Sequence, residues 1–144
     1  MFSSANHLGS RRPFASSYRD VNASTAIEGA SPHKLVNLLF QSASSEIAAA
    51  RGAIARSHVA EKGRAISHAV RIIEEGLMAP LDMKAGGALA INLRDLYQYL
   101  VHRLTMANLN SDDAALVECA RLLDVLRDGW DAIGSQVEAP AVAA

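Results

Sequence analysis

Residues 30–40 read Ala-Ser-Pro-His-Lys-Leu-Val-Asn-Leu-Leu-Phe, and this stretch predicts the start of the first long helix. Ser31 is a preferred N-cap residue, and Pro32 follows at the first helical position, where a missing N–H is harmless. Apolar residues then recur at spacings of three and four, namely Leu35, Leu39, Ala43, Ile47, Ala50 and Ile54. This periodicity predicts an amphipathic helix from Pro32 to about Arg56.

Prolines at positions 13, 32, 80 and 140 leave two long windows in which nothing interrupts a helix. A polar interval around residues 57–63 separates the first helix from a second, whose apolar stripe is Ile66, Val70, Ile73 and Leu77. Pro80 closes this second helix. The sequence thus predicts a helical hairpin in the first window.

The second window contains two further helices. Gly86 and Gly87 mark a turn or a loose helix entry, and Asn108 and Asn110 end the helix that follows. Its apolar stripe is Leu89, Leu93, Leu96, Leu100, Leu104 and Ala107. This third helix is therefore predicted over about residues 86–108.

The last helix has the clearest pattern. Ser111 is expected to cap it, and Asp112 and Asp113 place two carboxylates in its first turn, which the helix dipole favours. Its apolar series is Leu116, Cys119, Leu123, Leu126, Trp130 and Ile133. Because Trp130 continues this series, we expect it to be mainly structural.

These helices predict an all-α protein of one domain. Four long helices with short connections form an antiparallel up-down bundle, preceded by a short N-terminal helix or arm. We expect a flexible arm over residues 1–17, the bundle over residues 18–135 and a disordered tail over residues 136–144. The segment Tyr18–Gly29 is the candidate short helix.

Composition excludes several classes of protein. With 14 basic and 15 acidic residues, the chain lacks the positive charge of a nucleic-acid binder. It has no apolar run of the ~20 residues that a membrane helix needs, and no apolar segment of a signal peptide. One cysteine cannot form an intramolecular disulfide. We therefore expect a cytoplasmic protein that neither enters a membrane nor binds nucleic acid.

The sequence shows no group of residues spaced for catalysis or for binding a metal or a cofactor. The five histidines have no ligand spacing, and no glutamate precedes a histidine by three residues as di-iron bundles require. Cys119 falls on an apolar stripe, where a buried thiol is the ordinary interpretation. We therefore predict a non-enzymatic protein, with one alternative: a histidine phosphotransfer bundle that uses His68 on the second helix.

Two helices carry apolar residues outside their main stripes. Val36 and Phe40 lie on the first, and Ala90, Tyr97 and Val101 on the third. These side chains can pack under the N-terminal arm or in a wide core, or they can remain exposed as a partner-binding surface. Tyrosines suit such a surface because each combines apolar area with a polar tip, so Tyr97 and Tyr99 are leading candidates.

The order of motifs resembles one known family. The matching pieces are Tyr18, Ala30-Ser31-Pro32-His33-Lys34-Leu35, Leu38-Leu39-Phe40, Gly86-Gly87 with Ala90, Asn92 and Leu93, Leu96-Tyr97-Gln98-Tyr99, Arg103-Leu104, Ala107-Asn108, and Leu126-Arg127 before Trp130. In this order and at these intervals they resemble the FliS family of flagellin-specific export chaperones over about residues 18–132.

The resemblance implies a function and its partners. A member of this family is expected to bind the disordered C-terminal segment of flagellin, to prevent its premature polymerisation and to deliver it to the flagellar export gate. A homodimer is a further possible state. The expected partner-binding residues are Tyr18, Val21, Ile27, Val36, Phe40, Ala90, Asn92, Leu93, Tyr97, Tyr99 and Val101. The first three give the arm enough apolar character to dock reversibly on the bundle.

Overall fold

The computed structural model of the chain describes the backbone of residues 31–143 and the side chains of residues 31–134. The arm predicted over residues 1–17 and the short helix predicted over Tyr18–Gly29 lie outside the described residues. The helices are α1 (Pro32–Ala55), α2 (Val59–Arg71, continued by a π-helical segment, Ile72–Met78), α3 (Gly87–Asn110) and α4 (Asp113–Ala143).

The four helices form one antiparallel bundle. Each helix contacts the next along the chain, and α1 also contacts α4, which closes the ring. The described residues contain no strand. The predicted all-α bundle is thus confirmed. The α4 backbone is helical to Ala143, beyond residue 135 where we ended the bundle; the division of the chain into arm, bundle and tail stays a prediction.

The start of α1 follows the sequence signal. The Ser31 side chain accepts a hydrogen bond from the Lys34 backbone N–H at 3.2 Å, and Pro32 opens the helix. By contrast, α2 begins at Val59, so the predicted polar interval over residues 57–63 was too long. One polar residue of that interval stabilises the bundle. Lys62 is buried, and its Nζ donates to the Asn108 carbonyl at 2.9 Å and to Ser111 Oγ at 2.7 Å.

Ser111 is not the cap of α4. It lies in the left-handed region, with φ of 50°, and ends α3 as its C-cap residue. The N-terminus of α4 is capped instead by Asp112, whose Oδ1 accepts from the Ala115 backbone N–H at 3.2 Å. A turn this short needs one residue to end a helix and another to begin the next.

The last turns of α2 depart from the regular α-helix. The Ala79 backbone N–H donates to the Glu74 carbonyl at 2.9 Å, an i to i+5 bond that widens the turn. Gly76 in this π segment faces Leu39 of α1, where an added Cβ would lie 3.0 Å from Leu39 Cδ1. The glycine therefore allows α1 to approach closely.

The core consists of the predicted stripes, shortened at one end of the bundle. Its largest fully buried side chains are Ile47, Ile66, Ile72, Ile73, Leu100, Leu104, Leu116, Cys119 and Leu123. Burial raises the pKa of the Cys119 thiol to about 11, as expected for an unreactive core cysteine. Leu89 and Ile133, which we placed on core stripes, are 62% and 44% exposed.

A pairing between His33 and Trp130 joins the first turn of α1 to α4. The Trp130 indole N–H donates to the His33 carbonyl at 2.9 Å, and His33 Nε2 lies 2.5 Å from the Trp130 carbonyl. The two rings stack with centroids 4.7 Å apart and an interplanar angle of 5°. Because the acceptor is a carbonyl, His33 is assigned the tautomer that carries its proton on Nε2.

The pairing predicts that Trp130 stabilises the fold. Trp130→Ala removes the ring stack, the indole bond and contacts with the core, so we expect the free energy of unfolding to fall by about 3 kcal/mol, the lower end of the range for a core tryptophan. Trp130→Phe keeps an aromatic ring and should cost about 1 kcal/mol for the lost hydrogen bond. Urea unfolding followed by circular dichroism measures both; unchanged stability in Trp130→Ala would contradict the structural role.

A polar network joins α3 to α4 on another face. Glu118 accepts from the Tyr99 hydroxyl at 2.5 Å and from Arg103 Nε at 2.8 Å. The hydrogen bond from Tyr99, together with that from Arg103, lowers the pKa of Glu118 below its usual value. The bonds favour the carboxylate over the carboxylic acid, so they stabilise the folded state only while Glu118 is ionised.

This shift predicts a pH-dependent effect of Glu118→Gln. The contribution of Glu118 is complete above its unfolded-state pKa of about 4.3 and disappears as the pH falls through the lower folded-state value. The Tm difference between Glu118→Gln and the natural chain should therefore be largest near pH 7 and vanish near about pH 2. Asp128→Asn, an exposed carboxylate on the same helix, is the control. An equal Tm difference at both pH values would contradict the network's role.

Candidate partner-binding groove

One end of the bundle carries an apolar groove of about 400 Å³. It lies where α1 and α3 begin and where α2 and α4 end. Its lining residues are Val36, Phe40, Gly76, Leu77, Pro80, Leu81, Leu89, Leu93, Tyr97, Val125, Leu126, Gly129, Trp130 and Ile133. All four helices thus contribute to a single concave surface.

The floor of the groove is formed by buried side chains. Phe40, Leu77 and Tyr97 are almost fully buried, and Val36 is half-buried beside them. Burial raises the pKa of the Tyr97 phenol to about 12. Tyr97 therefore stays neutral at physiological pH and presents an apolar ring to the groove.

The rim, by contrast, is exposed. Leu89 is 62%, Val125 67% and Ile133 44% accessible to solvent. Leu89 and Ile133 belong to stripes that run past the end of the core, where no helix of the described residues covers them. Apolar side chains exposed around a concave apolar floor are features of a partner-binding site.

Two local features shape this groove. The π segment brings Gly76 and Leu77 to its wall, and the connection that follows adds Pro80 and Leu81. On the opposite wall, the pairing with His33 fixes the ring of Trp130. The groove is therefore held open by backbone geometry and by one aromatic contact.

The structure brings together only some of the residues predicted from the sequence. Val36, Phe40, Leu93 and Tyr97 line the groove. Ala90 is buried one turn from Gly86, and Val101 packs against the core. Asn92 and Tyr99 are exposed on another face of α3. Tyr18, Val21 and Ile27 lie outside the described residues.

Sequence reasoning missed the rim. Leu89 and Ile133 were assigned to the core, and Val125 was not singled out. Their exposure could have been predicted from their positions in the bundle. Leu89 and Ile133 are the outermost members of their apolar stripes, and in an up-down bundle these two stripe ends meet at the same end. A stripe that continues beyond the last layer of its neighbours must be exposed there.

Two other concavities are less suited to an apolar partner. One, of about 610 Å³, is lined by α4 alone and includes Asp113, Glu118 and Arg121. The other, of about 200 Å³, lies at the opposite end of the bundle and is lined in part by Lys62 and Ser111, which hydrogen-bond to each other. Their polar lining makes the 400 Å³ groove the stronger candidate.

His68, the residue of the alternative phosphotransfer site, contacts a carboxylate of a neighbouring helix. His68 Nδ1 lies 2.6 Å from Glu46 Oε2, which joins α2 to α1. Over residues 31–134, no group of three or more His, Cys, Asp or Glu side chains is arranged to hold a metal ion. No helix in the described part of the chain is long and apolar enough to cross a membrane.

The chemistry of the groove favours binding. Its side chains carry only two polar groups, the Tyr97 hydroxyl and the Trp130 indole N–H, and the latter already donates to His33. These two groups provide neither an activated nucleophile nor an acid–base pair. An apolar groove with an exposed rim is suited to the apolar face of an amphipathic helix.

Comparison with known proteins identifies the family. A family model described as flagellar protein FliS matches residues 14–137. The chain is 40% identical over 116 residues to the flagellar secretion chaperone FliS of Salmonella typhimurium, covering 81% of this chain and 86% of that protein. It is 41% identical over 116 residues to FliSB of Pseudomonas aeruginosa, another flagellar secretion chaperone, covering 81% and 91%. The chain therefore belongs to the FliS family of flagellar secretion chaperones.

Proposed function

We propose that the protein is a cytoplasmic export chaperone that binds the disordered C-terminal segment of flagellin in the groove at the end of the bundle. Binding prevents premature polymerisation, and the chaperone then delivers flagellin to the flagellar type III export apparatus. The proposal is supported by membership of a non-enzymatic secretion chaperone family and, above all, by an apolar groove with an exposed rim.

The size and chemistry of the groove support a helical segment as the occupant. A volume of about 400 Å³ holds a few large apolar side chains, which one face of an amphipathic helix presents at spacings of three and four. Covering Leu89, Val125 and Ile133 removes apolar area from water, which contributes about 25 cal/mol for each Å². The same burial hides flagellin side chains that otherwise drive assembly.

Coupled folding and binding also suits an export chaperone. A disordered segment loses conformational entropy when it becomes ordered, and this cost offsets part of the favourable contact energy. A large contact surface can therefore be combined with an affinity modest enough for release at the export gate.

Within this proposal, the predicted binding residues fall into three groups. Val36, Phe40, Leu93 and Tyr97 contact flagellin in the groove. For Asn92, Tyr99, Ala90 and Val101 the geometry supplies no groove contact. Binding through Tyr18, Val21 and Ile27 of the arm stays a prediction, as do the contact with the export gate and the possible homodimer.

A titration with a peptide from the last ~40 residues of the cognate flagellin tests the proposal. The peptide should gain helix on mixing, so the circular dichroism of the mixture should exceed the sum of its parts. Trp130 is the single tryptophan of the chain and lines the groove, so its emission should shift during the same titration. Unchanged peptide helicity and no heat of binding at micromolar concentrations would remove the flagellin assignment.

A matched pair of variants localises binding to the groove in that titration. Leu89 and Leu109 are both highly exposed leucines near opposite ends of α3, and only Leu89 lines the groove. Leu89→Asp places a charge on the rim, so we expect it to weaken peptide binding by about tenfold or more, a loss of at least about 1.4 kcal/mol. Leu109→Asp should bind as the natural chain does. Equal effects from the two variants would place the peptide outside the groove.

A further inference from the structure

Gly129 and Gly63 both have room for a Cβ among the described residues, and of these two only Gly129 lines the groove. An added Cβ would overlap His33 at Gly134, would crowd Leu39 at Gly76 and would lie 2.8 Å from the Asp82 carbonyl oxygen at Gly86, and Gly87 has a φ of 55°. Gly129, within α4, has nothing within 4 Å of the position of a Cβ. No contact inside the described chain explains why this residue lacks a side chain.

A glycine at this position makes the isolated protein less stable. Gly129 is exposed in a helix interior, where glycine is less favourable than alanine because its unfolded backbone has more freedom to lose. Gly129 lines the groove, and the absence of a side chain leaves its backbone accessible from the groove. Glycine commonly occurs where a ligand or another backbone approaches closely.

The side chains on either side of Gly129 project beyond it, so that the surface of α4 has a notch at Gly129. Val125 and Ile133 lie one turn before and one turn after it on the same face of α4. Both are exposed, and all three residues line the groove. The rim of the groove along α4 is therefore an apolar ridge interrupted at its middle by a gap one side chain wide.

We propose that this notch receives one apolar side chain of the bound flagellin helix, which inserts between Val125 and Ile133 against the Gly129 backbone. The contact is a single knob in a hole, and it makes Gly129 a specificity-determining residue that fixes where the flagellin helix crosses α4. This inference rests on the proposed function and adds to it the register of the bound segment. Flagellin is the occupant because the notch is continuous with the groove assigned to it.

The test compares Gly129→Ala and Gly129→Leu with Gly63→Ala in the full-length protein. Gly63 lies on α2, where a Cβ would have its nearest neighbour, Asn108 Oδ1, at 4.0 Å. Both alanine variants should raise the Tm, by about 2–4 °C, because alanine favours the helix. Calorimetry with the flagellin peptide should show a loss of affinity of about tenfold or more for Gly129→Leu, a smaller loss for Gly129→Ala and no change for Gly63→Ala.

We expect Gly129→Ala to raise the Tm of the protein and to lower its affinity for the flagellin peptide. A lower Tm in Gly129→Ala would mean that the glycine serves the fold, and this result would overturn the inference. If Gly129→Leu binds the flagellin peptide as tightly as the natural chain does, the inference is wrong and the proposed function stands. If the natural chain does not bind the peptide, both the inference and the proposed function are wrong. If Gly129→Leu instead changes only the sedimentation of the free protein, the notch belongs to a second copy, and the flagellin contact is wrong.

Discussion

The pairing of His33 with Trp130 is the contact on which the groove depends. It holds the first turn of α1 against α4 through two hydrogen bonds and a ring stack. Val36 and Phe40 follow His33 on the same face of α1, so the contact that fixes His33 also aims these two side chains into the groove. Gly134 allows the approach, because a Cβ there would overlap the imidazole ring.

The two ends of the bundle differ in chemistry. At one end, polar bonds close the structure: Arg51 pairs with Asp113 at 2.7 Å, and Lys62 caps the end of α3. At the other end, apolar stripes run past the core and form a groove whose rim is exposed among the described residues. Exposed rim residues contribute little to the stability of the folded state, so substitutions there should change the proposed binding surface while leaving the core intact.

The sequence predicted the helices more completely than it predicted the site. Periodicity, Ser31 and Pro32 predicted α1 correctly because these signals are local. The π segment was not predicted, since the apolar stripe Ile66, Val70, Ile73 and Leu77 continues through it at ordinary helical spacing. Tyr97 and Tyr99 were both proposed for one surface, yet residues two apart lie on nearly opposite sides of a helix. Only Tyr97 faces the groove.

The central claim is that flagellin binds at the end of the bundle where α1 and α3 begin. Nuclear magnetic resonance of the ¹⁵N-labelled chain, titrated with the flagellin peptide, tests it residue by residue. The account predicts that the largest shift changes occur at the Trp130 indole N–H and at the backbone amides of Gly76, Leu89 and Gly129. Changes centred instead on Val59 and Leu109, at the opposite end, would contradict it.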